Sequence, residues 1–383
     1  NQGVDIMAFD DIYPEGHQGG VCIIMNGHRV ATNGDIRLEA TPGQWQPVPK
    51  QLDRKLGDNS ITATLCYPDS SRHLTGFNPM IYPDLHLIYT VNVESKGKNI
   101  EVTVDLDRPI PQEFIGKVGF NLEFFPGSLF GKPWIMDGQS GIFPQQPNSP
   151  LMTTQPNYLH TGNYHDGKKS LADMDKLIGK GYSPIVADDI ISEPYAKGTK
   201  FTSRPDDPYN KVTIESLSGD LQLFDGRMNH NNGWFVLRSN IKPGVTKGAV
   251  KWIITPNVVA DWMYQPVIQT SQIGYHPTQD KEAVIEMDIR DNRKETAQII
   301  RIDADGEKVV KNVTPANWGK FLRYNYLKVN FTDVKEPGLY KIKYNTSVSP
   351  IFRIDNDVYA RGVWQPVLEY FLPVQMCHMR VNE

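Results

Sequence analysis

The stretch LHLIYTVNVESKGKNIEVTVDL, residues 85–106, decides the fold class of this chain. Apolar residues occupy every second position in both of its halves: Leu85, Leu87, Tyr89, Val91 and Val93, then Ile100, Val102, Val104 and Leu106. Period-two alternation places one face of a strand in a core and the other towards water. Sheets of such strands are usually antiparallel. The stretch therefore predicts two amphipathic strands of an antiparallel sheet.

The same pattern extends outward over residues 1–265. Further strands are predicted at 61–66, 118–124, 212–215, 221–224, 234–238 and 249–255. Asn26-Gly27 lies between two apolar runs, which is a strong signal for a two-residue hairpin loop. The segment 126–210 is loop-rich, with one short helix predicted at 170–178. We predict a large antiparallel β-sandwich over 1–265, of which a galactose-mutarotase-like supersandwich is one form.

A second domain is predicted over 266–356. It carries seven short strand patterns, at 267–273, 283–288, 298–302, 308–311, 326–331, 339–344 and 351–354. Asp305-Gly306 predicts a tight hairpin between two of them. The number and spacing of these strands favour an immunoglobulin-like sandwich.

The segment 357–383 predicts a short C-terminal helix that is apolar on nearly all sides. Asp355, Asn356 or Asp357 could cap it, whereas Pro366 and Pro373 predict a kink or a break. A helix of this composition is normally buried on several sides. Since the preceding patterns are those of strands, our hypothesis is that the helix begins a larger helical domain.

Composition excludes several classes of protein. The 383 residues carry a net charge of −4, and no run of like charges marks a nucleic-acid partner. No apolar stretch approaches the ~20 residues of a membrane span. Cys22, Cys66 and Cys377 are far apart and have no metal-type spacing. Cys22 and Cys66 could pair, but buried free thiols are favoured, and cysteine usage does not fix the compartment. His160 and His165 flank a loop glycine, which is weak support for zinc.

Several motifs resemble those of glycoside hydrolase family 9 cellulases. The run QTSQIGYHP at 269–277, followed by KEAVI at 281–285, resembles the opening of the family's N-terminal immunoglobulin-like domain. The similarity continues through GLY at 338–340 and SPIFRI at 349–354. VLEYF at 367–371, with QMC at 375–377, is similar to the first helix of the family's catalytic domain. Residues 1–265 resemble, more distantly, the extra N-terminal module of long family members from Bacteroidetes-type bacteria.

The resemblance implies a function for the parent protein and a limit for this chain. The family's catalytic domain is a barrel of paired helices that hydrolyses β-glucans with inversion, for which a separated Asp and Glu pair is needed. The family's DAGD-type motif does not occur in this sequence. We therefore expect the chain to be a non-catalytic part that supports such a barrel, in a protein that is periplasmic, at the cell surface or secreted.

One loop is a candidate for carbohydrate contact. Polar groups surround an aromatic ring in DGRMNHNNGW, residues 225–234, and sugars bind by stacking on aromatic faces and by hydrogen bonds from polar side chains. The candidate residues are Asp225, Arg227, Asn229, His230, Asn231 and Trp234. The commoner interpretation is a polar turn in which Trp234 opens a strand. Trp45, Trp134 and Trp262 carry the same ambiguity.

A metal site is a second candidate, and no cofactor is required. Adjacent acids occur at 10–11, 188–189 and 206–207, and carboxylates could hold Ca²⁺. Asp188, Asp189 and Glu193 are the best calcium candidates of this group, although turn and surface acids are the commoner interpretation. Asp303 and Asp305 resemble part of a calcium loop, but the remaining ligands of such a loop are absent, so a hairpin turn is favoured.

Two other functions remain open from sequence. The chain could be a stand-alone carbohydrate-binding protein, which would require a ridge or groove of exposed aromatic residues. Alternatively the first domain could itself be catalytic, as in mutarotase-like sandwiches, which would require paired His and Glu side chains in a cleft.

Overall fold

The structure is a computed structural model that describes residues 3–10, 20–39, 41–42, 49–67, 71, 85–148, 192–228, 233–360 and 362–378. The chain divides into two compact units, residues 1–262 and 263–383, and each is described by itself. The structure groups 357–383 with the second unit, and the three-domain division of the chain stays a prediction. Among the described residues, no helix is long and apolar enough to cross a membrane.

The described residues form strands almost throughout. In the first unit the strands are β1 Val4–Ala8, β2 Val21–Met25, β3 His28–Leu38, β4 Lys50–Leu56, β5 Ser60–Cys66, β6 Ile88–Lys96, β7 Asn99–Leu106, β8 Val118–Phe124, β9 Pro133–Met136, β10 Gln139–Ile142, β11 Ala196–Gly198, β12 Lys200–Ser203, β13 Val212–Ser216, β14 Leu221–Asp225, β15 Phe235–Asn240 and β16 Val250–Pro256. In the second unit they are β17 Val267–Gln269, β18 Glu282–Asp288, β19 Ala297–Asp303, β20 Gly306–Val313, β21 Ala316–Phe321, β22 Tyr324–Asn330, β23 Gly338–Tyr344, β24 Ser347–Val348 and β25 Phe352–Ile354. The α-helix α1 spans Gln365–His378, and short 3-10 turns lie at Gln112–Phe114, Pro126–Ser128 and Gly226–Met228.

The first unit is a sandwich of two antiparallel sheets. One sheet has the order β1-β2-β3-β8-β15-β14-β11, and the other has the order β10-β9-β12-β13-β16-β7-β6-β5-β4. The inward faces of both sheets share one buried apolar cluster, in which the ring of Phe120 meets that of Trp252 edge-on at 5.0 Å. The predicted antiparallel β-sandwich is confirmed, and the mutarotase-like form of it stays a prediction.

Local signals placed most of these strands correctly. The Asn26-Gly27 hairpin is confirmed: Met25 pairs with His28, and both loop residues have positive φ angles, of 52° and 81°. A loop of this kind requires residues that tolerate the left-handed region. Cys22 and Cys66 are free thiols, as predicted, and they lie in different sheets, but only Cys22 is buried, whereas Cys66 is half-buried.

Three features of the first unit differ from the predictions. The loop-rich segment 126–210 contains the hairpin β9–β10 and the strands β11 and β12, whose short length leaves little room for a periodic signal. β4 was not predicted because its side chains are mostly exposed and it forms the edge of its sheet. β8 was predicted to expose one face to water, but all of its residues are buried. The predicted helix at 170–178 lies outside the described residues.

The second unit is an immunoglobulin-like sandwich followed by a helix, as predicted. One sheet has the order β17-β18-β22-β21, and the other contains β20-β19-β23-β24, with β25 also paired to β23. Their shared core includes three aromatic side chains in mutual contact, Tyr275, Phe331 and Phe352, and the ring of Tyr275 meets the other two edge-on. Strand β21 was missed, and the predicted Asp305-Gly306 hairpin has its loop one residue earlier, because Asp303 pairs with Gly306.

The C-terminal helix begins later than predicted and is not broken. Residues 357–360 form a turn, and α1 starts at Gln365, so Asp355, Asn356 and Asp357 do not cap it. Pro366 therefore falls in the first turn, where a missing N–H removes no helical hydrogen bond. The helix continues through Pro373 to His378, so the expected break does not occur.

Candidate functional site

The loop predicted to contact carbohydrate begins with an internal ion pair. Arg227 donates from Nε to Asp225 Oδ1 and from Nη2 to Oδ2, both at 2.8 Å. Asp225 is fully buried at the end of β14, and it also accepts a hydrogen bond from Tyr195 Oη at 3.0 Å. The Asp225 carboxylate is thus held by protein groups on several sides.

The other bonds of Arg227 also go to the protein. Its Nη1 and Nη2 donate to the carbonyl oxygens of Gln145 and Pro144, each at 2.8 Å. Its guanidinium lies over the rings of Phe235 and Phe130, at 4.6 and 5.1 Å from their centroids. This arrangement fixes the segment after β10 to the end of β14, which is a structural role.

Trp234 closes the same loop. Its carbonyl oxygen accepts a hydrogen bond from Gly226 N at 2.9 Å, and its half-buried ring packs edge-on against Phe125 at 4.6 Å. Asn229, His230 and Asn231 lie outside the described residues. The structure therefore brings Asp225 and Arg227 together, and carbohydrate contact by this loop stays a prediction. Of the other tryptophans considered, Trp134 is in the core and Trp262 is half-buried.

The calcium prediction rests mainly on residues outside the described part of the chain. Asp188 and Asp189 lie outside the described residues, whereas Glu193 is described and is exposed. Among the described residues, no group of three or more His, Cys, Asp or Glu side chains is placed to hold a metal ion. Asp207 instead organises a turn, since it accepts from the side chain of Asn210 and the backbone N of Tyr209, each at 2.8 Å.

Sequence reasoning missed a cluster of buried charges on the outer face of the seven-stranded sheet. We call it the buried charge cluster, and its members are Arg37, Glu39, Asn121, Glu123 and Arg238. Asn121 and Arg238 are directly opposite each other on β8 and β15. Because Phe120 and Leu122 point into the core, Asn121 points to the other face of the sheet.

Hydrogen bonds connect the cluster. Arg238 donates to Asn121 Oδ1 at 2.9 Å and to the carbonyl oxygen of Glu39 at 2.7 Å. Asn121 in turn donates to Glu39 Oε1 at 2.7 Å. Gly119 makes room for the guanidinium, because a Cβ at that position would lie 2.8 Å from Arg238 Cζ. The alternating charges of 35–39 were the available signal, but the same pattern is typical of a wet strand face.

Burial changes the acidity of two carboxyl groups at this sheet. Removal from water raises the pKa of Glu39 to about 7, against the opposing effect of Arg238. The same cause raises the pKa of Asp35 to about 6, and Asp35 Oδ1 accepts from Tyr89 Oη at 2.9 Å. The buried charge cluster contains no His, which the hypothesis of a catalytic first domain required.

The motif residues that resemble family 9 have structural roles in the second unit. Tyr275 Oη donates to the carbonyl oxygen of Glu282 and accepts from Ser271 N, both at 3.0 Å. The fully buried Lys281 donates from Nζ to the carbonyl oxygens of Pro277 and Gln279, at 2.8 and 3.0 Å. These bonds fasten the loop before β18, so the motif encodes the fold of the domain rather than chemistry.

The second unit exposes an apolar surface on α1 and just before it. We call it the helix surface, and it consists of Trp364, Val367, Leu368, Tyr370 and Phe371, each more than half exposed. The preceding turn is anchored, because Val358 is buried and Tyr359 Oη donates to Gln279 Oε1 at 2.7 Å. A contiguous exposed patch of this kind is typical of an interaction surface.

Comparison with known proteins identifies the domain in the second unit. Residues 263–349 match the family model described as the cellulase N-terminal Ig-like domain. The match covers less than half of the chain, so it applies to this domain and not to the chain as a whole. No curated protein matches the sequence.

Two solved structures are similar to parts of the chain. A metagenome-derived glycoside hydrolase family 9 endoglucanase is 29% identical over 24% of this chain and 18% of its own, with a TM-score of 0.22. This chain thus spans less than a fifth of that endoglucanase. The Slr1438 protein from Synechocystis sp. PCC 6803 is 8% identical over 66% of this chain and 96% of its own, with a TM-score of 0.30.

Proposed function

We propose that the chain is the non-catalytic N-terminal part of a family 9-type glycoside hydrolase that acts on β-glucan or cellulose-type polysaccharides. The match of residues 263–349 to the cellulase N-terminal Ig-like domain carries the proposal. The parent protein is exported, to the periplasm, the cell surface or the medium, where polysaccharide substrates occur. The first unit is an accessory module from the same polypeptide.

The helix surface is the contact site for the catalytic barrel in this proposal. Leu368 and Phe371 lie about one turn apart on α1, and both are more than half exposed. Covering such side chains with a partner domain is favourable, at about 25 cal/mol per Å² of apolar surface removed from water. The second unit would then hold the barrel through the helix and its anchored turn.

Hydrolysis assays and the reading frame test the proposal together. The purified 1–383 protein is expected to release no reducing sugar from carboxymethyl cellulose, xyloglucan or mixed-linkage glucan. The genomic reading frame is expected to continue past the codon of Glu383 and to encode a DAGD-type motif. Turnover of any β-glucan by 1–383 would contradict the non-catalytic role. A frame without the motif, together with glycan binding by the chain, would favour a stand-alone carbohydrate-binding protein.

A further inference from the structure

The four-stranded sheet of the second unit carries an aromatic pocket on its outer face. The pocket has a volume of about 210 Å³ and is lined by Val284, Trp318, Phe321, Tyr326 and Lys328. Trp318 and Phe321 are each 56% exposed, so the pocket opens to solvent. These aromatic side chains do not belong to the core of the unit, to which β18 and β22 contribute alternate residues such as Ile285 and Leu327 and the described β21 contributes none.

An irregularity in β21 creates the pocket. Asn317 pairs with Leu327 and Gly319 pairs with Tyr326, so Trp318 is an extra residue on its strand. A bulge of this kind re-aims a side chain, and bulges occur often beside functional sites. Gly319 has a φ of +123°, which favours glycine at this position. Gly319 is the residue opposite Tyr326 on β21, and it has no side chain that could cover the Tyr326 ring. A Cβ at Gly319 would meet no atom within 4 Å.

Three rings form the walls of the pocket. The ring of Trp318 is perpendicular to that of Tyr326, at a centroid distance of 5.6 Å and an angle of 90°. Phe321 is also nearly perpendicular to Trp318, at 6.5 Å and 87°. The rings therefore make a corner with apolar faces on more than one side. Usual ligand pockets are about 300–1,000 Å³, so this smaller pocket suits a single ring or another small group.

Charged groups lie beside the rings. Lys328 Nζ is 2.9 Å from Glu282 Oε2, and both side chains are partly exposed. Glu286 accepts hydrogen bonds from Tyr264 Oη at 2.9 Å and from Tyr326 Oη at 3.3 Å. The second bond holds the Tyr326 ring in place. The pocket thus combines apolar walls with donors and acceptors at its edge.

We infer that this pocket binds one pyranose ring of a β-glucan chain. A pyranose presents C–H groups on its faces and hydroxyl groups around its edge, which fits aromatic walls beside Lys328 and Glu282. A quaternary ammonium would also suit aromatic walls, but it has no hydrogen-bonding group to meet the Lys328 donor and the Glu282 acceptor at the edge. The choice of a β-glucan over other saccharides rests on the proposed function; the pocket itself shares no residue with the helix surface.

Calorimetry with the 1–383 protein and cellohexaose tests this inference. Because the pocket takes one ring, we expect a dissociation constant of about 1 mM. Trp318→Ala removes the central wall and is expected to weaken binding about tenfold or more. Tyr209→Ala is the control, because Tyr209 is an exposed aromatic residue (50%) that belongs to neither the pocket nor the helix surface. Its dissociation constant is expected to stay unchanged.

Each result either supports or overturns the inference. Loss of binding in Trp318→Ala alone supports it, provided that the circular dichroism spectrum and the melting temperature match those of the wild type. Should Trp318→Ala not fold, Phe321→Ala decides in the same way. Absence of heat from the wild type at about 10 mM cellohexaose, or equal affinity in Trp318→Ala, overturns the pocket. Such a failure leaves the hydrolysis and reading-frame results untouched, so the two proposals fail separately.

Discussion

A Cβ atom at Gly274 would lie 2.3 Å from the carbonyl oxygen of Arg353. The loop that contains Gly274 runs beside β25, where Tyr275 N donates to that same oxygen at 2.9 Å and Asp355 N donates to the oxygen of Tyr275 at 3.1 Å. The glycine of the family-like motif is thus required by the close approach of two backbone segments. This close approach joins the beginning of the immunoglobulin-like domain to its last strand, β25.

Gly274→Ala is expected to destabilise the second unit. The φ of Gly274 is +104°, which an L-residue rarely adopts, and the methyl group also collides with backbone. We expect a loss of about 2–3 kcal/mol in the free energy of unfolding. Urea unfolding of the wild type and the variant measures this change. Gly306→Ala is the matched control, since its φ is +128° but a Cβ there meets no atom within 4 Å. Equal losses in both variants would show that the close approach to Arg353 has no energetic weight.

Arg227→Ala is expected to destabilise the first unit. Without the guanidinium, the carboxylate of Asp225 is left buried with no cation, and breaking a buried pair from one side costs about 3 kcal/mol. Chemical unfolding of the purified variant gives this free energy. Arg108→Ala provides the comparison, because Arg108 forms its ion pair with Asp107 at the surface, where such pairs contribute little. If Arg227→Ala lowers the free energy of unfolding no more than Arg108→Ala does, Arg227 has no structural role, and carbohydrate contact by its loop is favoured.

The buried charge cluster predicts a pH dependence of stability. The pKa of Glu39 is raised by burial from 4.5 to about 7, so between these values the folded state holds a proton that the unfolded state releases. The contribution of Glu39 to stability is therefore fully present below about pH 4.5 and is lost as the pH rises through 7. Asp35 adds the same sign at lower pH, because its pKa is raised to about 6.

Glu39→Gln tests this dependence. Glutamine does not titrate, so the decline in unfolding free energy between pH 5 and pH 8 should become shallower than in the wild type. The measurement is a series of urea unfolding curves across this pH range. Glu113→Gln, at an exposed position of the same unit, should leave the slope as it is. A slope in Glu39→Gln identical to that of the wild type would mean that Glu39 does not carry the effect.

Sequence periodicity was sufficient where the environment of a strand is local. β6 and β7 have one face in the core and one face half-buried or exposed, so alternation located them within three residues. It was insufficient for β4, which lies at the edge of its sheet and has no fully buried residue. Pairing with β5 determines that strand, and pairing is a property of the tertiary structure.

The candidate sites show the same division between local and tertiary information. The alternation around Arg37 and Glu39 is typical of a strand with one face in water. Both residues are buried in the structure, because burial of that face depends on the rest of the fold. The aromatic pocket was missed because Trp318 becomes part of it through a bulge, which shifts the register by one residue. By contrast, the turn chemistry of Asn26-Gly27 requires only two neighbouring residues.

The helix surface predicts a measurable apolar patch on the 1–383 protein. Val367 and Leu368 are 61% and 52% exposed, and contiguous exposed side chains of this kind bind apolar dyes and promote self-association. The double variant Val367→Asp/Leu368→Asp should reduce the fluorescence of 8-anilinonaphthalene-1-sulfonate and shift the protein towards monomer in light scattering. Its unfolding free energy should change by less than about 0.5 kcal/mol per site, since neither side chain is buried. Leu56→Asp is the control, because Leu56 is 69% exposed and belongs to the first unit, whereas α1 belongs to the second. A marked loss of stability in the double variant would mean instead that the helix packs its apolar side chains within this chain, and the surface would then not be available to a catalytic domain.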